Sequence, residues 1–231
     1  SNPREDVTGG IALEKAAVLA VGGELVFTEE VTFSSSTLIN RHLPAFSRET
    51  HQYLETFSQK YSARDLQSYL EALKGLKVLL IGETIIDDYH YCRTMGKSGK
   101  EPILAACYER RETFAGGVLA VANHVAQFCD EVALVSFLGT KDSYEDFATK
   151  ALHKNVKAKF LSMEGAPTIV KRRFVESYPF QKLFEVYIMG DDEEDSKNSA
   201  ALCGALRDAV KGYDAILCVD YGHGMFSHDA V

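Results

Sequence analysis

Two kinds of apolar pattern divide the chain. Before residue 77 apolar positions recur at helical spacing between polar loops; after it, short apolar runs alternate with such stripes. Residues 1–10 read as a loop, with Pro3, Gly9 and Gly10 among polar neighbours. "IALEKAAVLAV" then predicts a short helix stopped by Gly22 and Gly23. "ELVFT" is a short strand candidate, and "FSSSTLINRHL" opens with Ser34 or Ser35 as a helix cap. Two helices are predicted near residues 47–60 and 63–74. The second begins with a capping box, Ser62 to Asp65, and stops at Gly75. Leu66, Tyr69, Leu70 and Leu73 share one of its faces.

From Lys77 strands and helices alternate. "KVLLIG" and "EVALVSFLG" predict buried strands, "AKFLSM" another strand, and "DAILCVD" a last buried one. "ILAACYERRETF" predicts one or two exposed strands. "GGVLAVANHVAQFC" predicts a helix with Val118, Val121, Ala122, Val125 and Cys129 on its apolar stripe. "DSYEDFATKALHKN" predicts a helix capped by Asp142 or Ser143. "PTIVKRRFVES" and "KLFEVYIM" read as a hairpin joined around Pro179, followed by a helix capped by Ser196. This order predicts an α/β fold with a mainly parallel sheet, and a boundary near residues 74–77.

Composition narrows the function. Acidic residues outnumber basic ones, 33 to 25, for a net charge of -8. That disfavours a nucleic-acid partner, which needs a basic face, but leaves nucleotides open. The five cysteines contain no CxxC pair, and the seven histidines no HExxH, so reduced thiols, no metal site and a cytoplasmic location are expected. No apolar run approaches the length of a membrane span.

The candidate chemistry sits where the first buried strand ends. "KVLLIGETIIDDYHY" finishes in Glu83, Asp87 and Asp88. Ligands of open α/β sheets bind beyond the carboxyl ends of the strands. A carboxylate there can accept two hydrogen bonds from neighbouring sugar hydroxyls, or it can cap a turn. Gly116 and Gly117 open a helix after an exposed strand, so they either admit a ligand to the backbone or serve a tight turn.

"VLLIGETIIDDYHY" followed by "EPILAACYERRETFAGG" resembles the start of a ribokinase-like (phosphofructokinase B family) sugar kinase, nearest the heptose-phosphate kinase branch. "PTIVKRRFV" and "AILCVDYGHGMF" resemble that branch's P-T-x-x-K-x-R strand and its strand ending in D-Y-x-K-G. The resemblance covers residues 77–228 and implies a ribokinase-like fold with flanking helices and a small β lid, using ATP and Mg²⁺. It implies that Asp87 holds sugar hydroxyls and that Gly116 and Gly117 pack the substrate against backbone. It puts Lys171 and Arg173 near the substrate or its phosphate, and Asp220 near the cleft. Glu83 replaces the usual Asp, Ala120 the asparagine of G-G-A-A-N, for which Asn123 substitutes, and His223 the lysine of D-Y-x-K-G. The family's G-x-G-D motif, anion hole and catalytic base together, does not occur in the chain, so a fragment without catalytic residues is expected.

"VTFSSSTLINRH" in turn resembles the closing motif of cytidylyltransferase-like nucleotidyltransferases, whose serines and threonine contact phosphates at a helix N-terminus. That implies nucleotide contacts by Ser35, Ser36 and Thr37, and CTP or another NTP as substrate. The expected organisation is a transferase tail over residues 1–45, a helical linker over 46–76, and the N-terminal part of a sugar kinase over 77–231. Two other readings stay open: a nucleotidyltransferase with a degenerate kinase-like domain, and a non-catalytic scaffold. A homodimer through the lid strands is expected, since unpaired strand edges seek partners.

Overall fold

A computed structural model describes residues 10–26, 46–190 and 195–226. Ser35, Ser36 and Thr37 lie outside the described residues, as do Phe27 and Thr28 of the "ELVFT" strand candidate, whose described part, residues 24–26, forms no strand. The chain divides into two compact units, residues 1–62 and 63–231.

The first unit contains α1 (Gly10–Ala20) and α2 (Arg48–Lys60). Gly22, with φ 77°, follows α1 in the left-handed conformation that glycine adopts freely. Ser47 caps α2, its Oγ accepting the Thr50 N–H at 3.3 Å. Glu49 in the first turn and Lys60 in the last complement the helix dipole. Among the described residues, neither helix buries a side chain.

The second unit opens with α3 (Ala63–Ala72) and a 3₁₀ turn, Leu73–Gly75. Its strands are β1 (Lys77–Gly82), β2 (Thr84–Lys97), β3 (Leu104–Gly117), β4 (Glu131–Lys141), β5 (Val156–Pro167), β6 (Ile169–Glu176), β7 (Gln181–Ile188) and β8 (Ala215–Val219). Its remaining helices are α4 (Val118–Val125), α5 (Glu145–Ala151) and α6 (Asp195–Ala209). One sheet has the order β5-β4-β1-β8 and is parallel throughout. Successive β1 side chains face opposite ways. Val78 and Leu80 join Val118, Leu119, Ala122 and Leu134 in one core layer. Leu79 and Ile81 join Val135, Phe137 and Leu202 in the other. A strand covered on both faces has no position for a polar residue, which is why "KVLLIG" reads as an unbroken apolar run.

The second sheet has the order β3-β2-β6-β7. β2 pairs antiparallel with β3 and parallel with β6, and β6 and β7 form the expected hairpin. Glu83 alone separates β1 from β2, so the chain passes from one sheet directly into the other. The expected α/β class holds: a parallel sheet, flanking helices and a small β lid. No helix among the described residues is long and apolar enough to cross a membrane.

Local structure goes beyond or departs from the sequence reading at three places. β2 is a 14-residue strand where the polar stretch Asp87 to His90 gave no strand signal. β8 is an edge strand, so Ile216 and Leu217 are each 40% exposed rather than buried. Tyr144, in a left-handed conformation, occupies the N-cap of α5 with no side-chain capping bond of its own, while the Ser143 Oγ accepts the Glu145 N–H at 3.4 Å.

Candidate functional site

β2 carries its two aspartates to opposite faces of the lid. Asp87 lies on the face that looks to the loop after β8. The register runs Asp87, Lys171 and Tyr187 as one row across β2, β6 and β7. The Asp87 carboxylate, partly exposed, pairs with Arg173, whose Nε also meets Glu185 Oε2 at 3.0 Å. Burial works against the Arg173 charge, but Asp87 and Glu185 hold its pKa above the ordinary value. The Tyr187 hydroxyl donates to Glu185 at 2.7 Å and, with Arg173, keeps that carboxyl below the usual range. The Lys171 ammonium stands over the rings of Tyr187 and Tyr221, at 5.2 and 5.7 Å from their centroids.

The glycine pair divides between two tasks. A Cβ on Gly116 would stand 2.1 Å from Asp87 Oδ2, so Gly116 makes the room in which the carboxylate sits. Gly117 has φ 56°, and a Cβ there would meet the Glu83 carbonyl at 2.3 Å. Its absence of side chain serves the turn into α4, whose first N–H, that of Val118, donates to the same carbonyl.

Glu83 ties the two sheets' junction to the loop after β8. It is 3% exposed, and its carboxylate accepts the backbone N–H groups of Tyr221 at 2.5 Å and His223 at 2.8 Å. Asp220, expected near the cleft, accepts the Gly222 N–H at 2.8 Å and caps the turn at the start of the loop after β8. Tyr187, Tyr221 and Glu185 complete the cleft face without having signalled themselves; their place follows from strand register.

Asn123 is a correction. Its side chain donates to the Ala151 carbonyl at 2.8 Å and accepts the His153 N–H at 2.7 Å, bolting α4 to the end of α5. Both ends of the carboxamide are thus committed to structure. Asn123→Ala should cost about 1–2 kcal/mol, two hydrogen bonds at about 1 kcal/mol each, in a urea titration, with ligand affinity unchanged.

Asp88, on the opposite face of β2, is fully buried. It receives Arg111 Nε at 2.5 Å, Arg172 Nε at 2.7 Å and His90 Nε2 at 3.0 Å. Burial alone would raise its pKa, but the hydrogen bonds from Arg111, Arg172 and His90 outweigh it and hold the carboxyl below its ordinary value. This acid is therefore spoken for, whereas its neighbour Asp87 keeps an open side.

No family model matches the chain. It is 29% identical over 161 residues to the bifunctional protein HldE of Haemophilus influenzae, covering 69% of this chain and 33% of that protein. The chain thus spans about a third of the length of the curated relatives it matches. Among solved structures it is similar to a carbohydrate kinase from Agrobacterium tumefaciens, at 19% identity and a TM-score of 0.44. That match covers 62% of this chain and 45% of that one. A phosphofructokinase-2 from Escherichia coli in complex with fructose-6-phosphate aligns at 10% identity and a TM-score of 0.41, over 62% and 45%.

Proposed function

We propose that this cleft is the sugar site of a carbohydrate kinase of the heptose-phosphate type. The observation that carries the reading is the Asp87 carboxylate. It is partly exposed, stands past the carboxyl end of β1, and is framed by Gly116, Lys171 and Arg173. An acceptor of this kind suits vicinal hydroxyls. The two cations beside it suit a sugar phosphate over a neutral sugar. The similarity to HldE along 161 residues supports the same reading. ATP and Mg²⁺ enter through the family resemblance. Among the described residues no three His, Cys, Asp or Glu side chains group as a metal site. The lid offers edges for a homodimer: β7 is an edge strand with Phe184 and Val186 exposed.

The test is direct. The product of the complete gene, given ATP, Mg²⁺ and a heptose phosphate, should release ADP and yield a sugar heavier by one phosphate. If no sugar phosphate binds or is turned over, the reading falls. A second reading, nucleotidyl transfer beside a degenerate kinase-like domain, draws on Ala120. It leaves the first turn of α4 without a polar side chain over the cleft glycines. Pyrophosphate release from CTP with no phosphorylation of any sugar would favour it.

A further inference from the structure

The edge of the parallel sheet at β5 carries a pattern that the sugar cleft does not use. β5 ends the order β5-β4-β1-β8, so its outer row of N–H and C=O groups faces away from β4. Charge is segregated along it. From Phe147 to Met163 the chain holds Lys150, His153, Lys154, Lys157 and Lys159 and no acid, in a protein of net charge -8. The four lysines are exposed, and among the described residues none of them has an ion-pair partner. The two faces of the edge differ. Val156 and Phe160 pack on the core layer that holds Ala148 of α5, with the small, exposed Ala158 between them. These three floor a groove of about 330 Å³ whose rim includes Lys154 and Glu145. Lys157 and Lys159 take the opposite face, the one on which Leu161 and Met163 meet the other core layer. Lysines on an edge strand can guard it against pairing, by setting charge where a partner's apolar side chains would land. Here β5 has no charge on its apolar face from Val156 to Phe160, which is hollow at Ala158. The charge is confined to the other face, so the edge is suited to one kind of strand rather than closed to all.

We propose that the β5 edge is a docking surface for an acidic partner segment, added to the sheet as a strand whose residues alternate apolar and acidic. Its backbone pairs with the outer row of β5. Its apolar side chains enter the hollow at Ala158, and its acids lie across from Lys157 and Lys159. Lys150 and Lys154 extend the positive field beyond the strand and steer an acidic partner toward it. The inference stands apart from the sugar-site reading.

The probe is a fluorescein-labelled peptide of about eight residues, an ordinary strand length, alternating glutamate with valine. Titrated into the protein and followed by anisotropy, it should bind saturably, and more weakly as salt rises. Outward backbone N–H groups between residues 156 and 160 should exchange with heavy water more slowly in the complex. Lys157→Glu combined with Lys159→Glu should weaken binding about tenfold, because two attractive cross-strand pairs become repulsive. Ala158→Phe, which fills the hollow and changes no charge, should weaken it as well. The unfolding midpoints should stay at the wild-type value, since all three replaced side chains are exposed. A peptide with lysine in place of glutamate should not bind. The absence of saturable binding would overturn the proposal. So would unchanged affinity in both variants, which would leave the lysines as guards of the edge and nothing more. Displacement of the peptide by a DNA oligonucleotide of equal charge at equal concentration would also overturn it, because the patch would then be a plain polyanion site.

Discussion

Asp87→Asn should weaken sugar-phosphate binding about 100-fold while leaving the unfolding midpoint nearly unchanged. The carboxylate offers two charge-assisted acceptors, each contributing about 1.5–3 kcal/mol. The amide keeps the volume but presents one oxygen without charge, and its NH₂ can no longer accept. A loss near 3 kcal/mol corresponds to about two decades in affinity. Stability should hold because Asp87 is partly exposed and Arg173 retains Glu185 at 3.0 Å. Isothermal titration with a heptose phosphate reads the first quantity and urea unfolding the second. Wild-type affinity in the variant would make Asp87 a structural partner of Arg173 and nothing more.

The same substitution one residue along should do the reverse. Asp88→Asn should destabilise the protein by about 3 kcal/mol, with sugar affinity little altered. It leaves Arg111, Arg172 and His90 around a buried site that has lost its charge. Removing one partner of a buried pair costs about 3–5 kcal/mol. The low end applies because Arg111 and Arg172 are 41% and 31% exposed and regain water. The pH dependence follows from the sign of the shift. The folded carboxyl titrates below its unfolded value of about 3.9, so the unfolded chain binds the extra proton. The stabilisation is complete above about pH 4 and is lost as pH falls through the lower folded value. In Asp88→Asn that acid limb should flatten. A variant as stable as wild type at neutral pH, with the same acid limb, would show that Asp88 contributes nothing to the fold.

These two neighbours mark what could be read in advance. The pattern gave the alternation of strands and helices, the parallel sheet and the β6–β7 hairpin. Each rests on a local period and on apolar runs that only two-sided burial tolerates. It missed β2, because a strand with acidic residues on both faces past Ile86 shows no apolar alternation. It also misjudged β8, because "AILCV" reads alike at a sheet's centre and at its edge. Asn123 shows the same limit from another side: a carboxamide on a helix carries no local mark of the Ala151 carbonyl it will meet.

The sequence by itself determined the class of fold, the order of elements, and which stretches hold acids, glycines and cations. These depend on neighbours a few residues away. The tertiary structure alone decided which aspartate is buried among arginines and which faces the cleft. It also decided that Glu83 holds the loop after β8, and that Lys171 and Tyr187 share one row with Asp87. Glu83 and His223 are 140 residues apart in the chain yet 2.8 Å apart in space. Contacts of that separation are set by strand register and sheet order, and neither is written in any local stretch.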